Sequence, residues 1–465
     1  MNFPHLPPRW RSSGLAGLVA AALGLSSAAR ADDTGYQPFP LGSRALSLGG
    51  AFTAIADDAS ALHYNPAGLV DAGSATVELS ANLYGLEIAI GDNFFGSLAQ
   101  AFGNINKIFT DLQIIPTTAG FVKSFGEKDE FGRARHAIGV SAEVPAYRSS
   151  TIETNATDSS GATEAYRRTE LDRTLRGVAG YAYRVNDQLR LGVSAGLELR
   201  RLSDREETEV SGNSSRFARG DSAVDLATIA LSASLGLLYS FPNNLTVGLS
   251  LESPTIELWS SADARTTRSF AVGDPIITDF TEERATAIPA SSARGAILRA
   301  GVAKQLTADT LISVDLWVVT PRSYQLFVLP DAQGFLAKTL SLGSTVERGW
   351  VVNANAGVEH WLSEAWSISG GLYTNMGSAP PIHDPPGSTR QAPAYADIDT
   401  LGGTISGGWA TEHTITRLGI DLSYGFGRDV IADDNRLRPL GLSAYRVVGV
   451  HRLSLFFFLG SSVFF

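Results

Sequence analysis

Polar and apolar residues alternate with a period of two through most of this chain. In residues 189–200, Leu189, Leu191, Val193, Ala195, Leu197 and Leu199 share one face, while Arg190, Gly192, Ser194, Gly196, Glu198 and Arg200 share the other. A strand sends successive side chains to opposite faces, so the segment has one oily and one polar surface. Residues 227–239 repeat the scheme. Fourteen such segments are predicted, at 74–90, 114–125, 136–147, 170–185, 188–203, 223–241, 244–260, 293–306, 309–325, 347–362, 365–376, 397–409, 413–426 and 441–465. All exceed ten residues, against about 5–6 for strands of ordinary globular sheets. Their connections alternate in length. Short turns fall at Asn186-Asp187, Pro242-Asn243, Thr307-Ala308, Ser363-Glu364 and near Thr411. Long polar connections fall at 91–113, 148–169, 204–222, 261–292, 326–346, 377–396 and 427–440. Long strands, an even count, and turns at one end with loops at the other predict an all-β fold, a 14-stranded antiparallel transmembrane β-barrel. Closure pairs every backbone group without an edge, as lipid demands.

The two ends of the chain add to this. Leu453, Leu455, Phe457, Leu459, Val463 and the final Phe465 share one face of the last strand. A terminal Phe in an alternating last strand resembles the signal that outer-membrane barrels present to their assembly machinery. At the other end, Arg9 and Arg11 precede an apolar run at 15–29, and Ala29-Arg30-Ala31 follows as a small-x-small site. This pattern predicts a secretory signal peptide over residues 1–31. The run is shorter than the roughly 20 residues of a membrane-spanning helix.

Composition sharpens the class. The chain has 465 residues, no cysteine, 47 glycines and a net charge of −10. Without residues 1–31, which hold three arginines and no acid, 34 bases face 47 acids, a net charge of −13. An acidic surface with scattered bases argues against nucleic-acid binding. Lack of cysteine removes thiolate metal sites and cysteine nucleophiles. Mean hydropathy is near zero, the average of an oily face and a polar one.

Residues 32–73 lack the alternation. They are rich in small residues, including the run GSRALSLGGAFTAIADDASALHYNPAGL at 42–69. This run resembles the N-terminal hatch of the FadL-type family of outer-membrane transporters for hydrophobic compounds. The motif residues are Asp57, Asp58, Ser60, Asn65, Pro66, Ala67 and Gly68. A second likeness is Leu249-Ser250-Leu251-Glu252-Ser253-Pro254-Thr255, similar to a strand segment of that family. The resemblance implies a hatch at 32–73 inside a barrel at 74–465. It also implies hatch movement after ligand capture and lateral exit through the wall. In the residues themselves, small side chains let a backbone thread a confined lumen, and Asn65-Pro66 sets a turn. His63 departs from the aromatic that family members often carry.

Candidate binding residues follow from pattern and position. Phe94, Phe95, Leu98, Phe102, Ile105, Ile108, Phe109 and Leu112 recur at helical spacing and predict an amphipathic helix at 94–112, in a loop outside the membrane. Its oily stripe either captures a ligand or packs on neighbouring loops. Inward strand faces are predicted to carry Arg176, Arg190, Glu198, Arg200, Glu252, Arg299, Asp315, Glu359, Arg417 and Asp421. Such charges either pair hatch to wall or, through Arg190 or Arg200, bind a carboxylate head group. Arg148, Arg167 and Arg168 are alternative head-group binders from a loop. Pro145, Pro254 and Pro321 interrupt strands; Pro254 is expected to kink its strand, and the other two to sit at strand ends. Gly192-Val193-Ser194-Ala195-Gly196 matches the G-x-S-x-G letters but lies inside an alternating strand, without the turn and helix a nucleophile elbow needs. No catalytic group, metal site or cofactor is read from the sequence.

The function expected is passive, diffusion-driven uptake of long-chain fatty acids or aromatic hydrocarbons by a monomer in the outer membrane of a Gram-negative cell. Its partners would be the hydrophobic ligand, outer-membrane lipid and lipopolysaccharide, and the barrel-assembly machinery. The alternative is a PorV-like barrel that serves protein secretion or surface interactions without small-molecule transport.

Overall fold

A computed structural model describes residues 39–91, 107–157, 163–212, 216–272, 277–329, 345–381, 396–432 and 445–465. The predicted signal peptide lies outside them. Two one-turn helices, α1 (Ser43–Ser47) and α2 (Ala61–Tyr64), and a 3-10 turn at Pro66–Asp71 come first. The strands follow: β1 (Ala75–Gly91), β2 (Lys107–Lys128), β3 (Ala134–Thr157), β4 (Thr163–Arg184), β5 (Leu189–Gly212) and β6 (Arg216–Phe241). Next are β7 (Leu245–Glu252), β8 (Ile256–Val272), β9 (Ile277–Ile288), β10 (Ile297–Gln305), β11 (Thr310–Val319) and β12 (Arg322–Gln325). The last six are β13 (Thr345–Arg348), β14 (Val351–Trp361), β15 (Trp366–Asn375), β16 (Asp397–Ala410), β17 (Thr414–Ala432) and β18 (Tyr445–Phe464).

All pairings are antiparallel and run in ring order, β11 joining β14 and β6 joining both β7 and β8, and β18 closes the ring on β1, from Thr76↔Phe464 to Gly91↔Val450. Strands β7 and β8 are two parts of one strand, broken at 253–255, and β9 and β10 are two parts of the next. So counted, the closed barrel has 14 strands. A separate ribbon, β12–β13, continues β11 and β14 beyond it. Outward positions such as Leu79, Leu197, Leu235, Leu372 and Ile405 are apolar and exposed, while inward positions such as Arg176, Ser232, Glu252 and Asp421 are buried. This is the reverse of a soluble protein and matches the period-two pattern.

Three expectations are corrected. The connections at 148–169, 204–222 and 261–292 are mostly strand. Hairpin β3–β4 pairs as far as Thr157↔Thr163, β5–β6 as far as Gly212↔Arg216, and β8–β9 as far as Val272↔Ile277. A hydrogen-bonded ladder needs no apolar face, so these hairpins run on after the alternation fades. The helix expected at 94–112 is not one where it is described. Residues 107–112 belong to β2, with Phe109 opposite Ala89 of β1, because pairing across the sheet satisfies the backbone that the helical spacing seemed to assign locally. Phe94, Phe95, Leu98, Phe102 and Ile105 lie outside the described residues. Pro145, expected at a strand end, is inside β3, at a register shift between Glu143 and Ala146.

The N-terminal segment, residues 39–73, is almost wholly buried against inward strand faces. Glycines of the wall make room for it. A Cβ on Gly192 would lie 2.3 Å from the Ala67 nitrogen, and one on Gly236 would lie 2.2 Å from Asn65 Oδ1. Gly248 and Gly301 meet Thr53 and Ala54 in the same way, and Gly357 and Gly371 meet Leu48. The 47 glycines therefore serve close approach as well as turns.

Adding a methyl group here overpacks the contact. Gly192→Ala and Gly236→Ala are each expected to destabilise the protein by about 1–3 kcal/mol. Gly407→Ala, which meets nothing within 4 Å, should stay within about 0.5 kcal/mol of wild type. Denaturant unfolding in detergent measures all three.

Candidate functional site

Polar groups that point inward cannot stay dry and unpaired, and the N-terminal segment supplies many of their partners. Asp315 of β11 accepts the backbone N–H of Phe52 at 2.8 Å and of Thr53 at 2.7 Å. Glu78 of β1 accepts the N–H of Ser43 at 3.0 Å. Arg44 pairs with Glu359 of β14 at 2.6 Å and with Asp57, and Arg417 of β17 donates to the same Glu359 at 3.1 Å. Asp71 takes Arg184 at 2.7 Å and Arg190 at 3.0 Å. Asn65 joins segment to wall: its Oδ1 accepts the Ala67 N–H at 3.2 Å, while Nδ2 donates to the carbonyls of Thr53 at 2.9 Å and Leu237 at 3.0 Å. Pro66 starts the 3-10 turn. Gly68 is required there, since a Cβ would lie 1.6 Å from the Ala56 carbonyl oxygen.

Above this segment lies a cavity of about 130 Å³ lined by Arg148, Asp172, Glu198, Arg200, Arg294 and Arg348, with Pro145, Tyr147 and Tyr324. Its arginines already have partners within the barrel, Arg348 through Ser378 Oγ at 2.7 Å. Arg200 forks onto Asp172 at 3.0 and 2.6 Å, Arg148 reaches Glu170 at 3.5 Å, and Arg294 pairs with Glu198 and Glu252. Glu252 also takes Arg176 at 2.9 Å and Arg299 at 3.3 Å. A separate apolar cluster packs Leu202, Leu226, Ile288, Leu326, Phe327 and Val346 together, with Tyr324 against it. Phe327 is drawn to the wall by a bridge to Ala290.

The wall itself parts beside this cavity. Strands β2 and β3 pair only from Lys128↔Ala134 to Thr118↔Glu143. Beyond that point β2 pairs with β1 alone and β3 with β4 alone. Pro145 sits at the parting and lacks the N–H a ladder needs. A second cavity of about 710 Å³ lies here, lined by inward residues Ser80, Thr118, Glu143 and Arg176 and by outward residues Leu79, Leu175, Leu197 and Leu459. A lining drawn from both faces of one sheet means that the cavity passes through the sheet. Val144 lines this cavity and Pro145 the first, so the two adjoin at the kink. The break at Pro254 leaves no such gap. There the Ser253 N–H donates to Ala233 at 2.8 Å, the Thr255 N–H to Arg294 at 3.1 Å, and the Arg294 N–H to Thr255 Oγ1 at 2.8 Å.

No protein-family model matches the sequence, and no curated protein is matched by it. Solved structures do match. A FadL homologue from Pseudomonas aeruginosa superposes with TM-score 0.56 at 12% identity, covering 92% of this chain and 99% of its own. The toluene transporter TodX of P. putida superposes with TM-score 0.57 at 13% identity, over 92% and 99% of the two chains. The toluene transporter TbuX of Ralstonia pickettii gives TM-score 0.51 at 13% identity, over 92% and 98%. The fold is that of the FadL-type barrels.

Within this FadL-type fold, Arg148 and Arg200 line one cavity, but Arg190 does not join them. It lies at the start of β5, ten residues from Arg200, held by Asp71 and by Ser240 at 3.0 Å. Ser194 lies mid-strand in β5, paired on both sides, so the G-x-S-x-G letters form no elbow. Phe465 is exposed, and its N–H donates to the Ala75 carbonyl at 2.9 Å. His63 was given no role by sequence reasoning, yet its Nδ1 lies 3.4 Å from Glu143 at the wall opening. Burial pushes its pKa below the usual value, against the pull of Glu143. Asp58 accepts from the Ser60 N–H at 2.9 Å. Burial, reinforced by the charge of Asp57, raises the Asp58 carboxyl to about 6.

A raised acid binds its proton more tightly in the folded state than in the unfolded one. The stability that Asp58 contributes is therefore full below about pH 4 and is lost as pH rises through about 6. Asp58→Asn should match wild type near pH 4 and exceed it at pH 7.5 by up to about 3 kcal/mol. Denaturant midpoints at the two pH values test the sign.

Proposed function

We propose that the protein is an outer-membrane channel through which hydrophobic small molecules diffuse without an energy source. The observation that carries this reading is the parting of β2 and β3, where a cavity through the wall adjoins one inside the barrel. The N-terminal segment acts as a hatch below that point and closes the straight route through the barrel. A ligand that enters from outside passes the Phe327 region, reaches the cavity beside Pro145 and leaves sideways between β2 and β3. The outer lining of the exit is Leu79, Leu175, Leu197 and Leu459, which suits an apolar cargo delivered into lipid. Aromatic hydrocarbons and fatty acids both satisfy this chemistry. The arginines already engaged by Asp172 and Glu198 favour the uncharged cargo, because a carboxylate would have to displace an internal partner. The toluene transporters among the structural neighbours support the same preference.

The chain has no cysteine of its own, so the exit can be closed on demand. Thr117→Cys with Val144→Cys places thiols on the two strands where they part. Linking them with a short bifunctional thiol reagent should cut whole-cell uptake of labelled toluene at least about tenfold, the scale set by blocking one required step. The unlinked double variant should keep wild-type uptake. Wild-type protein that takes up neither toluene nor a long-chain fatty acid would sink the transport reading and leave the protein-secretion alternative.

A further inference from the structure

The outer face of the projecting hairpins carries a feature that transport does not use. Odd-numbered residues of β4 and β5 point outward. Leu175, Leu199, Ile229 and Trp259 form one row across β4, β5, β6 and β8. From Leu189 at the start of β5 to Leu199 is eleven residues, the length with which a tilted strand crosses a bilayer, about 9–11. Half-exposed Trp259 in that row fits the aromatic girdle at a lipid boundary. The apolar surface therefore ends at this row.

The next outward row, two residues or about 7 Å along the strands, is Arg173, Arg201, Ala227 and Ser261. Arg173 and Arg201 stand directly opposite each other, and neither has an ion pair or side-chain hydrogen bond among the described residues. Two rows higher, Arg265 and Arg284 form a second opposed pair, with Arg205 in the same row across Ala223. Like charges facing each other across a sheet are destabilising. The nearest outward acid, Asp225, lies between the rows and is taken by Arg205 at 3.8 Å. Inward arginines of the same two strands differ: Arg168, Arg176 and Arg200 each hold a carboxylate. The outward pair is a cationic site without an internal anion, at headgroup height.

We propose that Arg173 and Arg201 bind a phosphate group of a phosphorylated lipid in the outer leaflet. Paired guanidinium forks match phosphate oxygens, and an anion between them removes the repulsion. The adjoining row Leu175, Leu199 and Trp259 packs the acyl chains of the same molecule. This inference rests on the membrane reading of the barrel but not on its cargo.

The test uses the full chain purified in detergent and titrated with bisphosphorylated lipid A, its phosphate-free counterpart and inorganic phosphate. Native mass spectrometry counts bound lipid, and thermal unfolding reads stabilisation. Wild type is expected to bind bisphosphorylated lipid A and to gain stability from it. Arg173→Gln/Arg201→Gln is expected to bind at least about tenfold more weakly, the scale of one lost charge-assisted contact. The single Arg201→Gln, at an exposed position, gives the same comparison if the double variant folds poorly. Arg173→Lys/Arg201→Lys should restore part of the affinity, and Arg219→Gln, on a residue already paired with Asp221, should change nothing. Equal binding by wild type and the Gln variants, or equal binding of the phosphate-free lipid, overturns the proposal. Displacement of the lipid by millimolar inorganic phosphate would reassign the site to a free anion. Toluene uptake is expected to persist in the Gln variants, so failure here and failure of the transport reading are separate results.

Discussion

Glu78, Asp315 and Glu359 point from three different strands into the interior of the barrel, and each takes a partner from the N-terminal segment, Glu359 sharing its charge with Arg417 of the wall as well. A buried carboxylate without a partner costs several kcal/mol, so these contacts stabilise the segment in its place against the wall. Between its two short helices the segment has backbone N–H groups that need acceptors, and Asp315 accepts two of them, from Phe52 and Thr53. Glycines such as Gly192 and Gly236 let backbone approach backbone.

At the gap between β2 and β3 each strand carries a proline without an N–H, Pro116 in β2 and Pro145 in β3, beside a shift of register. Pro145 and Pro254 both interrupt strands, yet the sheet opens only beside the first. At Pro254 the neighbours repair the ladder through Thr255 and Arg294. Beyond Glu143, by contrast, β2 and β3 each keep a partner on their far side and none toward each other. The opening is bordered by Glu143, Arg176 and His63 on the inside and by leucines on the outside.

The barrel was legible because lipid and lumen impose a period of two on the strands between them, as in residues 189–200. The projecting parts of β3 to β9 were not, because outside the lipid both faces are polar and a paired ladder leaves no hydrophobic trace. The same limit misread residues 107–112, where helical spacing of apolar residues coincided with a strand paired to β1. Inward charges were named correctly from alternation, but their grouping was not. Arg190 and Arg200 share a face of β5, yet one meets Asp71 and the other Asp172, because about 34 Å of strand separates them at 3.4 Å per residue. His63 gave no signal, since its partner Glu143 is eighty residues away in the chain.

By itself the sequence determined which residues face in and which face out, how many strands close the ring, and that residues 42–69 carry a motif unlike the wall. Those are local properties, written in periodicity and in the order of small residues. Only the tertiary structure decided which carboxylate meets which arginine, that the wall parts beside Pro145 and not beside Pro254, and that Arg173 and Arg201 stand opposed at the end of the apolar face. Each of these depends on register between strands, and register is set by the whole closed sheet rather than by any one of its segments.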